Sequence, residues 1–236
     1  MPLSPNATGR RPRNSLTVES IIDAAESVAI EGFDGLTIRA VASELGASPM
    51  ALYRYFATKD ELVDALLDRV LGRFEEPAAT DDWFADLHTF ARNHYAMLAS
   101  QPWAIAPLVS HPNPGLNALP IGEIALRILS RGGITGDDAV VAFSAIVAMN
   151  YGWASFVSAR QDAVDASVEA ERRASAPRAR DYPLTAGVAD ALNEYGSAAH
   201  YDRALGHLLR GIRVGERLLH EPGATVAAST VAGDNA

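Results

Sequence analysis

The chain has 236 residues, 48% of them apolar, no cysteine and a formal net charge of −9. The missing cysteine rules out disulfides, thiolate metal sites and thiol nucleophiles. No unbroken apolar run approaches the roughly 20 residues that span a bilayer, and the first residues lack the apolar centre of a signal peptide, so a cytoplasmic chain with no membrane partner is expected.

Ala, Leu, Glu, Asp and Arg outweigh β-branched alternation, which favours an all-α fold, and the length suits one large or two small domains. Residues 1–15, MPLSPNATGRRPRNS, are rich in Pro, Arg, Ser and Asn and are expected to form a disordered basic arm. Thr17 can cap a first helix whose apolar residues Val18, Ile21, Ile22, Ala25, Val28 and Ala29 follow helical spacing, and Gly32 ends it. A second helix over 38–45 carries Ile38, Val41, Ala42 and Leu45 on one side. Gly46 then supplies the positive φ that a steep helix crossing requires. Ser48-Pro49 restarts the chain over 49–55, with Ser48 as cap, Pro49 at the first helical position, and Met50, Leu52, Tyr53 and Phe56 as apolar bulk. Thr58-Lys59-Asp60-Glu61 reads as a capping box that opens a helix running to just before Pro77.

These segments form a helix-turn-helix within a small domain, 16–75. Beyond the Pro77–Asp82 boundary a second helical domain, 82–220, is expected. Its predicted parts are a helix over 83–100, a Pro-broken stretch over 102–120, helices over 121–131, 137–160 and 201–219, and a polar stretch over 161–183 that is partly disordered. A disordered tail, 221–236, closes the chain. The 137–160 helix is apolar on more than one face and should be covered from two sides.

A helix-turn-helix places its second helix in the major groove of double-stranded DNA. Candidate contacts are Thr37 and Arg39 at the start of the preceding helix, Ser48, Pro49, Met50, Ala51, Tyr53, Arg54 and Tyr55 on the second, and Lys59 at the next helix N-terminus. The charge argues against a domain-wide basic field, since residues 1–75 hold 8 basic and 11 acidic side chains. Placement decides the matter. Phosphate contacts need only local cations, and Arg10, Arg11, Arg13, Arg39, Arg54 and Lys59 can gather near the motif.

At this spacing, LTIRAVASELGASPMALYRYFATKDELVDALL, preceded by IIDAAESVAIEGFDGLT, resembles the DNA-binding domain of the tetracycline-repressor (TetR) family over about 16–75. Tyr55 departs from the pattern, because many relatives carry His before the Phe. QPW, GLNALP and GGITGDDAVVAF resemble, more loosely, the helical ligand-binding and dimerisation domain of one branch. The resemblance implies an all-α homodimer without enzyme activity or cofactor.

His88, His94, His111, His200, His207 and His220 form no metal-binding pattern, so isolated, hydrogen-bonded histidines are the expected reading and no metal site is assigned. An effector pocket is expected around Trp103, His111, Phe143, Val147 and Tyr151, although an aromatic at helical spacing equally fits core or dimer interface. The resulting reading is a homodimeric transcriptional regulator, a repressor released from a palindromic operator by a small, partly hydrophobic effector. The rival is an all-α ligand-responsive interaction protein whose N-terminal unit contacts protein rather than DNA.

Overall fold

The computed structural model describes residues 16–111, 115–162, 181–194 and 196–219. The expected arm 1–15, the tail 221–236, His220 and most of the polar stretch 161–183 lie outside them. The described helices are α1 (Val18–Glu31), α2 (Ile38–Glu44), α3 (Pro49–Leu52), α4 (Lys59–Leu71), α5 (Trp83–Ala99) and α6 (Ile105–Ser110). They continue with α7 (Ala118–Arg131), α8 (Gly136–Asp162), α9 (Pro183–Ala186), α10 (Ala189–Asn193) and α11 (Ala198–Leu219). Among the described residues there is no strand, and the fold is all-α.

Two units emerge. One takes in the chain up to Arg73 together with Trp103–Ala118; the other is Phe74–Pro102 together with the chain from Leu119. The sequence reading assigned 103–118 wholly to the second domain. Its prolines mark where helices break, but they carry no information on what the broken pieces pack against.

In the first unit α1 is started by a reciprocal cap: Thr17 Oγ1 accepts from the Ser20 N–H at 3.1 Å and Ser20 Oγ accepts from the Thr17 N–H at 2.9 Å. Between α2 and α3, Gly46 adopts φ +62°, and the Ala47 N–H turns back to the Ala42 carbonyl at 2.8 Å. Ile21, Leu36, Leu52, Leu62, Leu66 and Leu67 are fully buried, each worth about 2 kcal/mol when withdrawn from water. Arg69 pairs with Asp23 at 2.5 Å and Arg73 with Glu26 at 2.6 Å, fastening α4 to α1. Such part-exposed pairs contribute about 1 kcal/mol or less, so the apolar core decides the packing.

In the second unit α5 and α8 form the main helix pair, with α11 against both. Phe90, Leu87, Leu98, Leu129, Ile146 and Leu205 are fully buried. A polar knot crosses this core. Asn150 Nδ2 donates to the Ala91 carbonyl at 2.9 Å and meets His94 Nδ1 at 3.0 Å, while the Tyr201 hydroxyl donates to Asn150 Oδ1 at 2.9 Å. Burial holds the His94 imidazole down to about 4, so it is neutral, and it raises the Tyr201 phenol.

Among the described residues one helical stretch, Gly136–Arg160, is long and apolar enough to cross a membrane by length and composition. The expectation that nothing approached this limit counted unbroken apolar runs. Gly, Ser and Asn interrupt those runs without lowering the average much. Only 22% of the most apolar window is buried within one chain, and Val140 and Val141 are exposed.

Candidate nucleic-acid interface

The second helix of the motif is shorter than its expected 49–55 range. It occupies Pro49–Leu52, and Tyr53–Tyr55 form a turn after it. Leu52 is fully buried and sets the phase. At about 100° per residue, Phe56 falls on the same side while Met50 falls about 200° away. Phe56 is accordingly 6% exposed and Met50 72% exposed. Met50 and Tyr53 were expected both to add apolar bulk and to reach outward; both face solvent, Tyr53 being 47% exposed.

Ser48 stands at the cap position, yet its side chain makes no capping bond. The Ala51 N–H that it would satisfy donates instead to the Ser48 carbonyl at 2.9 Å. Its hydroxyl is therefore not engaged by the helix it precedes. Pro49 and Ala51 are half-buried. Thr37 Oγ1 accepts from the Ala40 N–H at 3.1 Å, which starts α2 and leaves Arg39 exposed in its first turn. Thr58 caps α4 through the Glu61 N–H at 3.1 Å, and Glu61 reaches back to the Ala57 N–H at 2.7 Å, one residue before the reciprocal partner expected of a capping box. Lys59 then opens α4, its ammonium 5.8 Å from the centroid of the Phe33 ring.

Tyr55 has a different role from its neighbours. Its hydroxyl donates to the Leu16 carbonyl at 2.7 Å, tying the end of the motif to the residue before the α1 cap. Thr37, Arg39, Ser48, Met50, Tyr53, Arg54, Tyr55 and Lys59 are all exposed. With Arg69 and Arg73 paired to α1, the basic side chains at the motif are Arg39, Arg54 and Lys59.

The effector candidates are divided. Trp103 and His111 belong to the first unit: Trp103 stacks on Phe33 at 6.4 Å, and His111 Nδ1 lies 3.0 Å from the Pro107 carbonyl. Phe143, Val147 and Tyr151 recur every four residues along one half-buried face of α8. Phe143 meets Phe90 at 6.4 Å and Tyr151 meets His94 at 5.9 Å. The sequence reading missed Asn150 and its knot, for which a lone amide in an apolar helix was the available signal. It also missed a cleft of about 710 Å³ lined by Glu76, Thr80, Asp81, Arg127 and Arg131. Asp86 sits at its wall, held below the usual carboxylate range by the Thr80 N–H and hydroxyl, and then by Arg131. Among the described residues no cluster of three His, Asp or Glu side chains is placed to hold a metal.

A short exposed helix on a buried anchor, set after a glycine turn and flanked by two capped helices, defines a helix-turn-helix DNA-binding regulator with a helical second unit. Residues 21–66 match the family described as bacterial regulatory proteins, tetR family, and residues 76–215 match the tetracyclin repressor-like C-terminal domain. The chain belongs to the TetR family. It is 39% identical over 142 residues to the HTH-type transcriptional repressor DrrR1 of Streptomyces coeruleorubidus, an alignment covering 57% of this chain and 53% of that protein. It is 30% identical over 202 residues to the class A tetracycline repressor protein from transposon 1721 of Escherichia coli, covering 84% and 90% respectively. A possible TetR family transcriptional regulator from Streptomyces coelicolor A3(2) superposes with a TM-score of 0.73 at 25% identity, covering 84% of this chain and all of that one. The protein is thus a ligand-responsive transcriptional regulator that binds operator DNA as a homodimer, and it is not an enzyme.

Proposed function

We propose that this regulator is a cytoplasmic repressor in which the two α3 helices of the dimer read successive major-groove half-sites of a palindrome. Its DNA-binding domain is 16–75, and its effector and dimerisation domain falls within 82–220. Ser48, Met50, Ala51, Tyr53 and Arg39 address bases, Thr37, Pro49, Arg54 and Lys59 address the backbone, and Tyr55 positions the motif. The observation that carries the reading is the outward face of α3, where an apolar Met50 is 72% exposed opposite a fully buried Leu52. Selection of bound oligonucleotides by the purified protein tests it. A palindrome should emerge, and Arg39→Glu should abolish its binding while the dimer persists. Recovery of no preferred sequence overturns the reading.

The effector is a partly hydrophobic molecule taken up against Phe143, Val147 and Tyr151. Their half-buried aromatic face, backed by Phe90 and His94, supports this, as does kinship with a repressor named for tetracycline. Val147→Trp should yield a repressor that still binds its operator but is no longer released, read by DNA binding with and without effector. Release at the wild-type effector concentration would place the pocket elsewhere.

A further inference from the structure

We propose that Phe33 and Trp103 are positioning residues for DNA binding, which together hold the Lys59 ammonium out as an unpaired cation for a backbone phosphate. The proposal rests on the operator-binding reading above and gives Trp103 a place in it other than the effector pocket.

Charge sets the problem. From residue 16 to residue 73 the chain carries five basic and ten acidic side chains. A long lysine in such surroundings is drawn onto the nearest carboxylate, and two carboxylates, Asp60 and Glu61, follow Lys59 directly. The N-terminal end of α4 also disfavours an ammonium, because its unsatisfied N–H groups carry positive character. Yet among the described residues the Lys59 side chain forms neither an ion pair nor a hydrogen bond. Glu61 is turned back onto the Ala57 N–H at 2.7 Å. What the ammonium does meet is the Phe33 ring, 5.8 Å from its centroid.

An aromatic face suits this task where a carboxylate does not. It attracts the cation through its quadrupole without neutralising the charge or occupying the three N–H donors. Charge and donors both remain for a phosphate. A lysine paired to an acid would have to break that pair before it met DNA, and a lysine free in solvent would lose more rotamer freedom on binding.

The ring itself is fixed from two sides. Phe33 opens the short turn Phe33–Gly35 between α1 and α2. Its carbonyl accepts from the Leu36 N–H at 3.0 Å, and the fully buried Leu36 pins that turn to the core. The half-buried Phe33 ring then stacks on Trp103 at 6.4 Å, with the two planes 11° apart. Trp103 precedes α6 and belongs to the same unit as Phe33 and Lys59. A large flat indole fixes a second ring, and that ring fixes a cation whose backbone is already set by the Thr58 cap.

The test uses the full chain with its selected operator and an unrelated duplex, over a salt series, and thermal melting checks folding. Lys59→Ala should weaken binding to both duplexes. Phe33→Leu should weaken both alike, by about threefold per protomer, with base preference intact, and Phe33→Tyr should restore wild-type binding. Trp103→Leu should lose part of the same affinity. In a Lys59→Ala background Phe33→Leu should cost nothing further. In protein carrying isotope-labelled lysine, the Lys59 side-chain resonances should shift in Phe33→Leu and hold their place in Phe33→Tyr. If Phe33→Leu does not fold, Phe33→Met, which keeps bulk without an aromatic face, carries the same comparison. Additive losses in the double variant overturn the positioning role, since they mark Phe33 as a plain structural residue of its turn. Wild-type affinity in Phe33→Leu overturns it as well, and wild-type affinity in Trp103→Leu strikes Trp103 from it. Wild-type affinity in Lys59→Ala overturns the phosphate contact and the positioning with it. A wild type that prefers neither duplex would instead sink the operator-binding reading itself.

Discussion

The Asp68 carboxylate accepts two hydrogen bonds from Asn117, from its backbone N–H at 2.7 Å and its side-chain amide at 2.8 Å, and the Asp68 carbonyl lies 3.1 Å from that same amide. This clasp joins the last turn of α4 to the residue that immediately precedes α7. Gly115, at φ +140°, passes so close that a side chain there would overlap Asp68. The helix that carries Lys59 is thereby fastened to the root of a helix that runs on into the second unit.

Breaking the clasp should cost stability and, more tellingly, coupling. Asp68→Ala removes charge-assisted bonds worth about 2 kcal/mol in total and should lower the melting temperature by several degrees. Operator affinity without effector should change little, whereas the effector should weaken DNA binding several-fold less than in the wild type. An unaltered effector response in Asp68→Ala and in Asn117→Ala would show the clasp to be a static brace.

Residues at the motif should separate by the kind of information they carry. Met50→Ala and Arg39→Ala should relax base preference, costing about 1–3 kcal/mol on the selected site and much less on unrelated DNA. Lys59→Ala should weaken both alike and reduce the salt slope by about 1 per protomer. Equal loss of discrimination in all three would refute the division.

The neutral His94 makes stability pH-dependent in a stated direction. In the knot its Nδ1 accepts from Asn150, so protonation there would set two donors against each other. Its folded value of about 4 lies below the ordinary 6.5. The unfolded chain therefore binds the proton first, and the contribution is complete above pH 6.5 and shrinks as pH falls towards 4. The loss at pH 4 should be about 3 kcal/mol. Urea titrations across that range should show it for the wild type and show a flatter profile for His94→Gln. A wild type with no more acid sensitivity than that variant would exclude His94 as the source.

The apolar outer face of α8 demands a cover, and in the homodimer the partner protomer can supply it. Val141, 67% exposed in a single chain, should lie in or beside that contact. Val141→Glu places two like charges in the dimer and should weaken association by at least tenfold. Sedimentation would show monomers at concentrations where the wild type is dimeric, with operator affinity falling in parallel.

What the sequence revealed and what it concealed divide along the range of the interactions. Gly46, Thr17 and Thr58 act within five residues, so the turn and the helix starts could be read directly. The phase of α3 was also available, because Leu52 and Phe56 must share a side; Met50 was counted both as bulk and as an outward contact, and following the rotation puts it on the outward side. Long-range partners left no local trace. Nothing near Asn117 announces Asp68, 49 residues earlier, and Asn150 among apolar neighbours does not name His94 or Tyr201. The proline-rich stretch showed where helices stop and not that Trp103 would stack on Phe33.

Lys59 is the only lysine in the sequence, and it stands at the first position of α4 beside the helix-turn-helix. Every side-chain amine in the molecule therefore sits at the surface assigned to DNA. Amine-selective labelling in the presence and absence of the operator, read by peptide mass, amounts to a footprint with a single side-chain reporter and needs no engineered tag. The same arithmetic applies in a cell, where acylation of lysine has only this one position at which to act on the chain.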